Sequence, residues 1–232
     1  MSSAQPDLEC NQFSVNRRTV LASLLVTPAL VGLRGCAELT SESYRFRLIV
    51  EINTPEGIRT GSSVIEIWAA YDMPGSKNRL WRVRGEAVLV NLPNGRNLFA
   101  LLKTRAIYND MAGLSMETLD PLFNNDVVES AQRLASRENV RTEAIVQTEN
   151  IPVLAVFGDI NDRKSLQFIQ PDEISEIFGP GYRLRQISAE LTDDRVSNGI
   201  REILPPGPYG REDIFDSERR IELVQSNYFF EE

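Results

Sequence analysis

Tyr44-Arg45-Phe46-Arg47-Leu48-Ile49-Val50-Glu51-Ile52 is the stretch that decides the fold class. Tyr44, Phe46, Leu48, Val50 and Ile52 fall on one side of an extended chain, and Arg45, Arg47, Glu51 and Asn53 mostly on the other. Side chains alternate with a period of two along a strand, so this pattern predicts a strand with one buried face. Thr54-Pro55-Glu56-Gly57 supplies a turn, and residues 63–71 alternate again with Ile65, Ile67, Ala69 and Tyr71 in phase. Asp72-Met73-Pro74-Gly75-Ser76 breaks that strand. Residues 80–91 read as a third, with Trp81, Val83, Ala87 and Leu89 on one side and Arg82, Arg84 and Glu86 opposite. Leu92-Pro93-Asn94-Gly95 then turns the chain into residues 97–103, because Asn-Gly tolerates positive φ.

The middle of the chain changes period. Ser115 is placed to cap a helix from Met116 that Pro121 interrupts, and Asn125 or Asp126 to cap a second, 127–137, whose apolar face is Val127, Val128, Ala131, Leu134 and Ala135. Short strands are expected at 143–148, 151–157 and 165–169. Pro171-Asp172-Glu173 opens a brief helix that Phe178-Gly179-Pro180-Gly181 stops. Residues 182–191 alternate imperfectly, which predicts a bulge near Gln186. Asp193-Asp194 is read as the cap of a short helix running to Leu204. The fold class is therefore α+β: a mostly antiparallel β-sheet with a small helical insertion at 115–137. The domain occupies 37–204, and 205–232 is expected to be a loosely held tail.

Composition removes several chemistries. The chain has 232 residues, no histidine, and cysteine only at Cys10 and Cys36. Histidine-based acid–base work, Ser-His-Asp systems and the common zinc sites are excluded, and everything after Cys36 lacks thiols. A net charge of −8 disfavours a nucleic-acid partner. No cofactor motif is present: Phe178-Gly179-Pro180-Gly181 lacks phosphate-loop spacing and precedes a strand rather than a helix. Asp159, Asn161 and Asp162 alternate oxygens as a calcium loop does. Arg163 stands where the third oxygen belongs, so they are read as turn formers and no metal is assigned.

Three sets of side chains are candidates for function. Arg45, Arg47, Arg82 and Arg84 share the outer sheet face and would merge into an anion-binding patch, with Glu51, Glu66 and Glu86 offering cross-strand ion pairs as the competing account. Asp172 with Glu173, and Asp193 with Asp194, would supply acid and base to a carboxylate mechanism, or serve as helix caps. Trp68, Trp81 and Tyr71 are assigned to the core or sheet face.

The N-terminus sets the expected location. Polar residues, then Arg17-Arg18, then the uncharged run 19–33 resemble a twin-arginine export signal; the run is too short to span a bilayer comfortably. Leu33-Arg34-Gly35-Cys36 resembles a bacterial lipobox, in which Cys36 would be lipidated and become the new N-terminus; Arg34 departs from that pattern. Gly35-Cys36-Ala37 also fits cleavage after Ala37, and an uncleaved cytoplasmic chain is the third reading. Ala37 carries no acidic retention signal, which for a lipidated chain points to an outer-membrane or periplasm-facing position.

Tyr44-Arg45-Phe46-Arg47, Thr54-Pro55-Glu56-Gly57, Gly61-Ser62-Ser63-Val64-Ile65-Glu66, Gly158-Asp159-Ile160-Asn161-Asp162, Phe178-Gly179-Pro180-Gly181-Tyr182-Arg183-Leu184 and Thr192-Asp193-Asp194 together resemble an uncharacterised family of proteobacterial proteins. The resemblance covers about residues 44–204 and implies a domain boundary without an activity. The expectation is an exported, lipid-anchored envelope protein that binds a protein partner or small ligand without catalysis. A carboxylate-dependent periplasmic hydrolase is the alternative.

Overall fold

A computed structural model describes residues 41–93, 95–104, 110–204, 216–217 and 222–224. The chain divides into two units, Met1–Cys36 and Ala37–Glu232, and all the described residues lie in the second. Its architecture is α+β with mostly antiparallel sheet.

β1 (Ser41–Thr54) and β2 (Gly57–Tyr71) form a long hairpin paired from Ser41↔Ala70 to Thr54↔Gly57. The alternation of 44–52 is realised directly: Tyr44, Phe46, Leu48, Val50 and Ile52 are buried, while the residues between them are half-exposed. β3 (Arg79–Glu86) continues the sheet beside β2. β4 (Val88–Asn91) and β5 (Asn97–Thr104) instead belong to a second sheet.

The expected single strand 80–91 is thus two strands in two sheets, parted at Ala87. A Cβ on Gly85 would stand 3.1 Å from the Ile65 Cα, a tight contact, and its φ of +152° disfavours any side chain where β3 turns away from β2. The turn between β4 and β5 closes with Leu92 N–H donating to Arg96 O at 3.0 Å and Gly95 N–H to Leu92 O at 3.1 Å. Asn94 lies outside the described residues.

Helix α1 (Met111–Leu119) starts five residues earlier than a cap at Ser115 implies. Its cap is Asp110, whose carboxylate accepts the Gly113 N–H at 3.0 Å. Ser115 sits inside the helix, where its hydroxyl bonds back to Met111 O at 2.8 Å. The serine proton being committed there, Tyr44 donates in the 2.7 Å contact between the two hydroxyls. Pro121 falls just beyond the helix end. α2 (Val127–Ser136) is capped by Asp126 as expected, with Arg137 left-handed at its C-terminus (φ 58°).

β6 (Glu143–Ile145), β7 (Pro152–Phe157) and β8 (Leu166–Ile169) follow, then α3 (Ile174–Phe178) and β9 (Arg183–Leu191). β9 returns to pair with the other side of β1, and its register slips between Glu51 and Ile52, leaving Arg185 as the extra residue one position from the predicted bulge. β6 pairs outside β9, and β4-β5-β7-β8 is the order of the smaller sheet. Of the expected tail, β10 (Asp216–Ser217) and β11 (Glu222–Val224) pair with β3; the rest of 205–232 lies outside the described residues.

Two cores result. The larger joins the inner face of the β1 sheet, α1, α2 and one face of β5 and β7. The smaller covers the other face of β5 and β7, where Phe99 meets Phe157 edge-on at 5.5 Å beneath Ile200 and Leu204. The sheets cross at Gly61: a Cβ there would stand 2.2 Å from the Leu89 carbonyl oxygen, a backbone atom with little freedom to retreat. Gly61→Ala is expected to lower unfolding free energy by about 2 kcal/mol or more, as overpacking does. Gly199→Ala, with open space around it, should leave the denaturant midpoint unchanged; equal midpoints for the two variants would contradict this account of the crossing.

Candidate functional site

The outer face of the β1 sheet does gather Arg45, Arg47, Arg82 and Arg84, together with the acids that neutralise them. Register puts Arg84, Glu66 and Arg45 in one row across β3, β2 and β1. Glu66 takes Arg45 at 2.8 Å and Arg84 at 3.5 Å through different oxygens. Arg47 pairs with Asp194 and stands 3.9 Å from Glu190, its neighbour on β9. The Arg82 guanidinium lies over Trp68, 5.3 Å from the ring centroid. The cross-strand ion-pair account therefore describes this face, and each such half-exposed pair contributes about 0–1 kcal/mol.

Beyond β9 the chain crosses the same face. Thr192 N–H donates to Arg45 O at 3.0 Å, Ser197 exchanges bonds with the Val64 backbone, and Ile200 N–H reaches the Glu86 carboxylate at 2.7 Å. Asp193 and Asp194 do not cap a helix here. Their carboxylates are drawn to Arg137 (2.9 Å) and Arg47, and the segment stays irregular apart from a 3-10 turn at Ile200–Glu202.

The other sequence candidates are local. Glu173 closes a capping box with the Gln170 N–H at 2.6 Å, and Asp172 is exposed beside it. Asp159 and Asp162 each accept the backbone N–H two residues on, at 2.9 Å, as turn formers do. Among the described residues no cluster of three or more acids, cysteines or histidines is arranged to hold a metal. Arg17, Arg18 and Cys36 lie outside the described residues.

Three aspartates are bound tightly into the fold. Asp110 accepts the Trp81 indole N–H at 2.5 Å as well as its own cap bond, which ties α1 to β3. Asp126 caps α2 and accepts Arg79 at 3.0 Å and the Tyr71 hydroxyl at 3.2 Å, which ties α2 to β2 and β3. Asp120 is buried and takes Ser130 at 2.7 Å and Arg133 at 2.8 Å, which locks the two helices together. Burial raises the Asp120 carboxyl, but Arg133, Ser130 and the Leu122 amide outweigh it and hold the group below the usual carboxylate range. Burial likewise raises Asp126, and Arg79 with the Glu129 amide more than reverses it. Hydrogen bonds from Ser76 and Asn78 lower Asp72 on the surface. Burial pushes the Tyr44 hydroxyl far above its ordinary value.

One concavity combines charge with an apolar floor. It holds about 180 Å³ where β9 ends, between the last turn of α2 and the 192–193 turn. Tyr44, Leu134 and Leu191, all buried, form its floor; Arg45, Arg137 and Asp193 stand around it. Sequence reading missed this cleft, because its walls come from 43–45, 134–137 and 191–193. The left-handed turn at Arg137 that swings the guanidinium toward Asp193 has no clear sequence signal. A second concavity of about 630 Å³ along α2, lined by Glu42, Glu129 and Arg133, is wide open, and its arginine is already committed to Asp120.

No family model, curated protein or solved structure matches this chain.

The lowered aspartates make a pH prediction. Their folded-state values lie below the unfolded value of 3.8, so the stability they contribute is complete above that value and is lost as pH falls through the folded ones. Denaturant unfolding should show wild-type stability falling as pH drops below about 4. Asp120→Asn should be about 3 kcal/mol less stable at neutral pH, because it removes the buried partner of Arg133 and leaves only the exposed Glu129, and should lose less on acidification. Parallel acid limbs for the two proteins would remove Asp120 from this role.

Proposed function

We infer that the protein is exported, anchored through a lipid on Cys36, and held at a periplasm-facing membrane as a non-catalytic binding or structural module. The order Arg17-Arg18, apolar run, Cys36 supports the address. β1 starts at Ser41, so residues 37–40 would be the whole tether, about 14 Å at full extension.

The non-catalytic half of the reading is carried by one observation. Asp72, Asp120 and Asp126 are each displaced downward by partners that fix the fold. A carboxylic acid that donates a proton near neutral pH needs the opposite displacement, with the group turned toward a cavity.

The test is the mass and fractionation of the mature protein beside a Cys36→Ala variant. Wild type is expected in the membrane fraction, with a lipid-sized mass gain and the first residues removed. The variant should lack the gain and leave the membrane. A full-length, soluble cytoplasmic product from both genes would sink the anchored reading.

A further inference from the structure

The geometry points to the cleft at the end of β9 as a binding site for a carboxylate carried on a short apolar body. This deepens the binding-module reading above and rests on it.

Backbone geometry supplies the first element. β9 pairs with β1 only as far as Phe46↔Leu191, and Thr192 N–H then reaches Arg45 O. Alternate residues of a strand send N–H and C=O to the same side, so Ser43 directs both of its backbone groups to this edge, past the end of β9. No described strand pairs with 41–43 there.

Charge supplies the second. Arg137 spends its guanidinium on Asp193 alone, at 2.9 Å, and that aspartate is 92% exposed. Such an internal pair is readily exchanged for another carboxylate, since a fully hydrated partner holds it weakly. Arg45 keeps N–H groups beyond the two it gives to Glu66 and the Asp194 carbonyl. At the helix end that adjoins the cleft, the Arg133 carbonyl is already taken by the Arg137 and Glu138 N–H groups and the Ser136 hydroxyl, and the Arg137 charge has to outweigh the carbonyls that follow it.

Size and floor supply the third. A volume of about 180 Å³ corresponds to about six waters at their liquid volume, which suits a body of a few carbons over Tyr44, Leu134 and Leu191. A free short-chain acid and the C-terminal residue of a peptide share this chemistry. In the peptide, the carboxylate would meet Arg137 and the backbone would lie along the open edge at Ser43.

The test titrates the full-length protein, purified in a non-denaturing detergent, with butanoate, 1-butanol and butylamine, followed by backbone amide NMR. Butanoate is expected to give saturable shifts around Ser43, Arg137 and Asp193, and the alcohol and amine none. Arg137→Ala should weaken butanoate about tenfold, as loss of a charge-assisted bond does, with Arg137→Lys between the two. Asp193→Asn should tighten binding by removing the internal competitor. Both residues are exposed, and an unchanged amide spectrum elsewhere confirms the fold. A valine-ended dipeptide that binds more tightly than butanoate, and loses this on C-terminal amidation, identifies the peptide end as the source; no advantage identifies the free acid. Absence of saturation, equal response in Arg137→Ala, or preference for butylamine overturns the proposal. Fractionation of Cys36→Ala reads the anchor without reference to this cleft, so the two failures are separable.

Discussion

Asp110, Asp120 and Asp126 each do two jobs, and the arrangement of helices on sheet depends on it. A helix N-cap normally satisfies only the orphan amides of its own first turn. Here the remaining lone pairs of Asp110 and Asp126 go to Trp81, and to Tyr71 and Arg79, so the same carboxylates that start the helices fix where they land. Asp120 closes the triangle by joining the end of α1 to Ser130 and Arg133 of α2. Burying an anion is costly unless its lone pairs are filled, and all three are multiply bonded. The consequence is rigidity around the 44–52 core.

The same logic organises the outer face. Arg84, Glu66 and Arg45 alternate across three strands in register, and residues 192–204 are laid over this face by backbone bonds at Arg45 and Val64. That crossing carries Ile200 and Leu204 onto Phe99 and Phe157, so one segment both screens the charges and closes the smaller core. Only at its start, beside Arg137, does it leave a recess.

Local pattern made the sheet legible. The alternation at 44–52, the turn at 54–57, the Asn-Gly reversal and the cap at Asp126 depend on neighbours in sequence, and each was readable. The break at Ala87 was not, because alternation continues in phase through Val83, Ala87 and Leu89 while the chain changes sheets. Gly85 was the sole mark of it. Ser115 offers the more conventional cap by local pattern, and its burial inside the helix against Tyr44 depends on a strand some seventy residues earlier. The arginine row was legible as a row, but its neutralisation by Asp194 depends on a crossing that no local pattern encodes. The cleft was invisible for the same reason.

The pairing of Phe46 with Leu191 has a consequence for the chain during its synthesis. β1 and β2 emerge together and can zip at once, as adjacent strands do. The opposite edge of β1 must then wait until almost the entire domain has been made before β9 arrives to cover it. Throughout that interval a long strand rich in Phe, Leu, Val and Ile offers an open row of backbone groups, the form of edge most prone to wrong partners. The charged side chains that alternate with them, Arg45, Arg47 and Glu51, are meanwhile hydrated and blunt that edge against such partners. The charge pattern of the finished surface thus also serves as protection for the unfinished one.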